Sequence, residues 1–214
     1  MDRPADLDRQ TRILDAAESA FAECGFAGAS LRRIVAEAGV NLATVYYYFR
    51  SKEGLMGAVL QRRFGSLRQE QLARLKTCGR RAPRRARVER ILEAMIAPPL
   101  RLAAARSADA ERIRRLIGRI VTEPNPQTQA LLRRHHDEVR VAFVEAVREC
   151  LPALPLPVLL WRLEFVWGAL AFVLCNPRNL EEATQGVCDP EDVNKVMAQM
   201  IVFFASGLRA PGPG

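Results

Sequence analysis

"SLRRIVAEAGVNLATVYYYF", residues 30–49, decides the fold. Ser30 stands as an N-cap before a short helical run from Leu31 to Ala38. Gly39 stops that run and Asn41 caps the next one. Two short helices around a glycine-containing turn of about three residues make a helix-turn-helix layout. The second helix carries all three tyrosines of the chain, Tyr46, Tyr47 and Tyr48, side by side. Neighbouring helical residues point about 100° apart, so three in a row cannot share one buried face.

On a helical wheel with Val45 at 0°, Phe49 and Leu42 fall within about 60° and form an apolar edge. Tyr46, Tyr47 and Tyr48 fan out at about 100°, 200° and 300°. Tyr47 then projects opposite the core, between the small residues Ala43 and Thr44. A major groove about 12 Å wide admits one helix, and small residues let its backbone approach the bases. A central ring meets base edges or a thymine methyl, while flanking phenols donate to phosphates and set the register. Arg50, Lys52 and the start of the following helix add positive potential.

Outward from this module the chain reads as helix throughout, since no segment sustains two-residue alternation. The expected fold is all-α, with about nine helices. Ile13, Leu14, Ala17, Ala20 and Phe21 recur at helical spacing over residues 7–24, before Gly25. Further helices are expected over 53–77, 88–105, 109–122, 126–150 and 157–176, with Pro98 and Pro99 kinking the second of these. A last helix to residue 208 is expected to start from an N-cap at Asp189, with Pro190 at its first position. Residues 78–87 read as a solvated Arg-rich loop, or as a strip touching phosphate. The implied organisation is a domain over 1–52, a larger helical domain over 53–209 and a disordered tail over 210–214.

The net charge of +8 is unevenly placed. Residues 1–90 hold 18 of the 32 Lys and Arg and 10 of the 24 Asp and Glu, leaving the remainder neutral. A basic end on a neutral body points to an anionic partner, nucleic acid or membrane surface, or else reflects a solubility bias. The five cysteines are scattered, without C-x-x-C or a Cys/His cluster, so reduced thiols and a cytoplasmic setting are expected rather than disulfides or zinc. No P-loop, G-x-S-x-G or G-x-G-x-x-G motif suggests an enzyme, and no cofactor is implied.

Residues 11–60, "TRILDAAESAFAECGFAGASLRRIVAEAGVNLATVYYYFRSKEGLMGAVL", resemble the DNA-binding domain of TetR-family transcriptional regulators. The resemblance rests on Ala16, Ala17, Phe21, Gly25, Phe26, Ser30, Arg32, Ile34, Ala38, Gly39, Val40, Tyr46, Phe49, Ser51, Lys52, Glu53 and Leu55. It implies that Arg32 braces or reads DNA, and that Thr44, Tyr46, Tyr47, Tyr48 and Lys52 touch bases or phosphates. It also implies a variable helical domain that binds a small effector and dimerises through its last two long helices. Leu42 departs from the polar residue that relatives often place there. It either meets a thymine methyl or completes the apolar edge. Val35 departs more mildly, from the usual Ala.

The remaining residues extend that expectation. Trp161, Phe165, Gly168 and Phe172 form one stripe, and Val193, Met197, Met200, Ile201, Phe204 and Leu208 a second. Both are read as faces of a four-helix dimer interface or as plain core. The uncharged stretch 165–175 is shorter than the roughly 20 residues that span a bilayer, so no membrane partner is expected. Candidate effector-pocket residues are Met95, Leu102, Ile117, Ile120, Val139 and Phe143, with Arg119, Arg140, His135 and His136 as polar candidates. Adjacent histidines diverge on a helix and do not chelate one metal. The implied partners are palindromic double-stranded DNA, a lipophilic effector and a second copy of the chain, with repression as the expected mode. Activation and effector-independent binding are the alternatives.

Overall fold

A computed structural model of the protein describes residues 4–79, 83–104, 107–122, 125–175 and 177–212. Among the described residues there are ten helices and no strand. They are α1 (Pro4–Gly28), α2 (Leu31–Ala38), α3 (Leu42–Phe49), α4 (Lys52–Thr77) and α5 (Arg84–Ala104). Then follow α6 (Ala108–Thr122), α7 (Pro126–Cys150), α8 (Leu156–Cys175), α9 (Pro177–Ala183) and α10 (Val193–Arg209). The addition to the expected nine is α9, a seven-residue helix within the polar segment after α8. At the Arg-rich run, residues 80–82 lie outside the described residues, and α5 already begins at Arg84 rather than at 88.

Two compact units divide the chain. One comprises the residues up to Ser66 together with Ser107–His135, the other Leu67–Arg106 together with the residues from His136 onward. This differs from the 1–52 and 53–209 division read from the sequence, because the first part of α4, α6 and the start of α7 belong with the first three helices, α6 packing on α1.

The first unit owes this to a buried carboxylate. Glu18 on α1 has no exposed surface. It accepts hydrogen bonds from Arg62 Nη2 and Arg63 Nε, both at 2.6 Å. Arg63 also reaches Asp109 at the start of α6, with Nη2 2.7 Å from Oδ1. Arg119 of α6 donates to the Glu23 carbonyl at 2.9 Å. That carbonyl lies where Gly25, at φ 69°, interrupts the regular helix, so the arginine replaces a lost intrahelical donor. Ile13, Phe21, Ile34, Val45, Leu55 and Leu116 fill the space between these helices.

The second unit is built around α5, α7, α8 and α10, with Leu92, Met95, Val139, Phe143, Leu163 and Val166 fully buried or nearly so. Pro98 and Pro99 lie inside α5. Pro99 has no N–H for the carbonyl four residues before it, that of Met95. The buried Gln71 of α4 fills this gap, Nε2 donating to Met95 O at 2.8 Å. α10 is capped by Asp192, which accepts from Lys195 N at 3.1 Å, three residues after the expected cap. Asp189 instead closes a turn by accepting from Glu191 N at 2.9 Å.

α8 has 20 residues and a mean hydropathy of 1.8, enough by length and composition to cross a membrane. Its two charges are nevertheless met within the unit. Arg162 donates to the carbonyls of Leu208, Ala210 and Pro211 at 2.7–3.0 Å, while Glu164 pairs with Arg140 at 2.6 Å. Arg162 thus ties down part of the tail expected to be disordered. Residues 213–214 of that tail lie outside the described residues.

Candidate nucleic-acid interface

The turn between α2 and α3 is set by local chemistry. Gly39 sits in the left-handed region at φ 63°, and its N–H returns to Ala36 O at 3.3 Å. Ser30 has the extended backbone of an N-cap, although its hydroxyl takes no backbone N–H. Asn41 caps α3 fully: its Oδ1 accepts from Thr44 N at 2.9 Å and from Thr44 Oγ1 at 2.8 Å. Arg12 of α1 donates to Ala38 O at 3.1 Å, meeting a carbonyl that α2 leaves open at its end. At the far end of α3, Arg50 adopts φ 67° and Ser51 Oγ accepts from Gly54 N at 3.1 Å. A Cβ on Gly54 would lie 1.9 Å from the Phe49 carbonyl oxygen, so this corner closes over glycine.

The expected fan is present on α3. Val45 is fully buried, while Tyr46 is 46% and Tyr47 73% exposed. Ala43 is exposed beside them, and Arg32 presents an exposed side chain from α2. Leu42 is 37% exposed and so reaches the outward surface. Thr44 is half-buried with its hydroxyl held by Asn41.

Two side chains are engaged differently from the simple fan. Tyr48 donates its hydroxyl to Asp6 of α1 at 3.0 Å. Partial burial, then this carboxylate, raise the Tyr48 pKa above its ordinary value. Lys52 donates to Ala27 O at 3.3 Å and lies 4.8 Å from the centroid of the Phe26 ring. Its ammonium therefore caps the end of α1. Asp6 and Arg12 were not legible as site residues, because their partners lie 42 and 26 residues away and carry no pairing signal in sequence.

The expected pocket residues do not gather in one unit. Met95, Val139 and Phe143 are buried in the core of the second unit, with Leu102 half-buried there. Ile117 and Ile120 belong to the first unit. Arg119 and Arg140, offered as polar pocket groups, are bonded to Glu23 O and to Glu164. Of the expected dimer stripes, that on α8 faces outward: Trp161 is 67% and Phe165 60% exposed, with Phe172 also exposed and open space beside Gly168. That on α10 faces inward within a single chain. Met200 and Phe204 are buried in the core of their own unit, with Met197 and Ile201 packed against it. The exposed apolar residues of α10 are Val202 and Phe203. Among the described residues no group of His, Cys, Asp and Glu is arranged to hold a metal.

A capped helix with outward tyrosines, seated on a glycine turn and braced by a first helix, defines a DNA-binding protein of the helix-turn-helix class. Residues 13–59 match the profile of bacterial regulatory proteins of the tetR family, and residues 93–207 that of the tetracyclin repressor-like C-terminal domain. The second match alone covers more than half of the chain, and the protein belongs to the TetR family of transcriptional regulators.

Curated relatives match over the first module. The regulator UidR of Escherichia coli K12 is 41% identical over 51 residues, 24% of this chain and 26% of UidR. RaaS of Mycobacterium tuberculosis is 48% identical over 56 residues, 26% of each chain. The chain thus spans about a quarter of the length of the curated relatives it matches. Solved structures match over nearly the whole length. The fatty acid degradation regulator FadR of Bacillus halodurans superposes with a TM-score of 0.64 at 17% identity, covering 99% of this chain and 100% of that one. FadR of Bacillus subtilis, in complex with stearoyl-CoA, gives 0.58 at 15% identity over 92% and 98%. At these identities the likeness is one of fold.

Proposed function

We propose that the protein is a homodimeric repressor that holds a palindromic operator and releases it when a lipophilic small molecule binds the second unit. The reading places it in the cytoplasm. The observation that carries it is the pairing of an outward recognition helix with an outward aromatic face on α8. A palindrome presents two half-sites about 34–36 Å apart, and a two-fold dimer places one recognition helix at each. The face of Trp161, Phe165 and Phe172 is apolar surface of the kind that a second copy covers.

For the effector, the second unit supplies an apolar interior around Met95, Val139 and Phe143 with a single buried polar side chain among the described residues, Gln71. Such sites favour an apolar ligand oriented by few polar groups. The stearoyl-CoA bound by FadR of B. subtilis is a probe of that chemistry. Two residues, Arg50 and Ser51, separate the recognition helix from α4, which continues as one helix to Gln71 and beyond. A ligand that moved α4 would change the half-site spacing, which is a coupling between two sites.

The deciding experiment titrates the protein onto the DNA upstream of its own gene, with and without stearoyl-CoA. Retention of the duplex, and its release by stearoyl-CoA but not by a polar sugar or amino acid, is the expected result. Unchanged binding with every apolar acid and thioester, together with release by polar ligands, would remove the lipophilic effector.

A further inference from the structure

Tyr48 and Asp6 form a contact that a phosphate-binding phenol would not need. Asp6 lies near the start of α1, 42 residues from Tyr48, and its Oδ1 accepts the Tyr48 hydroxyl at 3.0 Å. Arg9 Nη1 stands 3.4 Å from the same oxygen, so the carboxylate is held from its own helix as well. The Tyr48 ring meets the Tyr47 ring edge-on, with centroids 5.0 Å apart and planes 78° apart. On its other side it meets Phe49 at 6.2 Å. Tyr47 is the more exposed of the two and faces away from the core.

An exposed tyrosine samples several rotamers, and ordering one at an interface costs conformational entropy. A ring already fixed beside it removes part of that cost and restricts which base edges it meets. A carboxylate near DNA also opposes the attraction of the phosphates. Asp6 therefore weakens binding to any duplex through its charge, while its hydrogen bond acts on one ring only.

We propose that Asp6 is a positioning residue for sequence reading: it holds Tyr48 as the wall against which Tyr47 is set. In this arrangement the Tyr48 hydroxyl is donated inward, and its service to specificity passes through the Tyr47 ring. The first turns of α1 thereby become part of the reading head.

Charge and hydrogen bond are separable. Asp6→Asn and Asp6→Ala both remove the charge, and only Asn keeps an acceptor oxygen for Tyr48. Tyr48→Phe removes the donor and keeps the ring. A preferred duplex is first selected with the unaltered protein from a pool of random 30-base-pair DNA. Dissociation constants for that duplex and a scrambled one are then measured for each variant at several salt concentrations, with thermal melting to verify folding.

Asp6→Asn is expected to hold the preference for the selected duplex within about twofold of the unaltered protein. Asp6→Ala and Tyr48→Phe are expected to lower it about tenfold, and their combination to lower it no further. Both Asp6 variants are expected to bind the scrambled duplex more tightly, to the same degree. Three results would overturn the proposal: Asp6→Asn losing preference as fully as Asp6→Ala, Asp6→Ala keeping it, or Tyr48→Phe weakening both duplexes equally. The last is the signature of a phosphate contact.

Discussion

Glu18 is one side chain on which three helices of the first unit depend. It is fully buried, and Arg62 and Arg63 offset its charge. Removing Glu18 leaves Arg62 with Asp15 and Arg63 with Asp109 but strands their inward donors, which costs about 1–3 kcal/mol. Glu18→Ala is therefore expected to lower the unfolding free energy by roughly that amount, read from urea denaturation, whereas Asp15→Ala on the exposed side of Arg62 is expected to cost less. The cysteines separate by the same logic of burial. Desolvation raises the Cys175 thiol to about 11, so it stays protonated at pH 8. Cys24 and Cys188 are exposed, and Cys78 and Cys150 buried. A neutral alkylating reagent at pH 8 is expected to label Cys24 and Cys188 rapidly, and the other three only on unfolding. Rapid labelling of Cys175 would contradict its placement.

Among the elements, α5 shows how a helix carries two prolines through a core. The Met95 carbonyl loses its N–H partner to Pro99, and Gln71 of α4 supplies another at 2.8 Å. Gln71→Met strands a buried carbonyl and is expected to cost about 1–3 kcal/mol. Pro99→Ala restores the missing N–H, so in that background Gln71→Met is expected to be nearly neutral. A double-mutant cycle in chemical denaturation measures the difference; additive effects would show that amide and proline are not a pair. The turn around Gly39 was legible in the sequence, because glycine acts within a few residues, whereas α5 runs on through Pro98 and Pro99 as one helix. Gln71 was not legible, since its partner is set by packing. α10 shows the same limit. Met200 and Phe204 repeat at helical spacing and are buried, while the adjacent Val202 and Phe203 are exposed. Periodicity finds apolar faces without saying which one meets its own core. The fate of α6 was hidden too, because Arg63 chooses Asp109 over 46 residues of chain.

For the whole molecule, the outward face of the second unit is where the proposed dimer is tested. Trp161 and Phe165 tilt against one another with ring centroids 6.0 Å apart, and both stand mostly in water in a single chain. Exposed residues of this kind add little to the folding of one copy. At a subunit contact, by contrast, aromatic anchors carry about 2 kcal/mol or more each. Phe165→Glu places a charge there without disturbing Leu163 or Val166, which face the core. The variant is expected to melt within a few degrees of the unaltered protein, yet to sediment as a monomer at micromolar concentration where the unaltered protein sediments as a dimer. Val141→Glu, a substitution at an exposed residue of α7, serves as the control and is expected to leave the dimer intact. Operator affinity should follow assembly: a monomer engages one half-site at a time and loses the gain of linked binding, so Phe165→Glu is expected to weaken operator binding by about 100-fold or more. A variant that stays dimeric would move the subunit contact away from α8, and one that turns monomeric while keeping full operator affinity would show that a single recognition helix suffices.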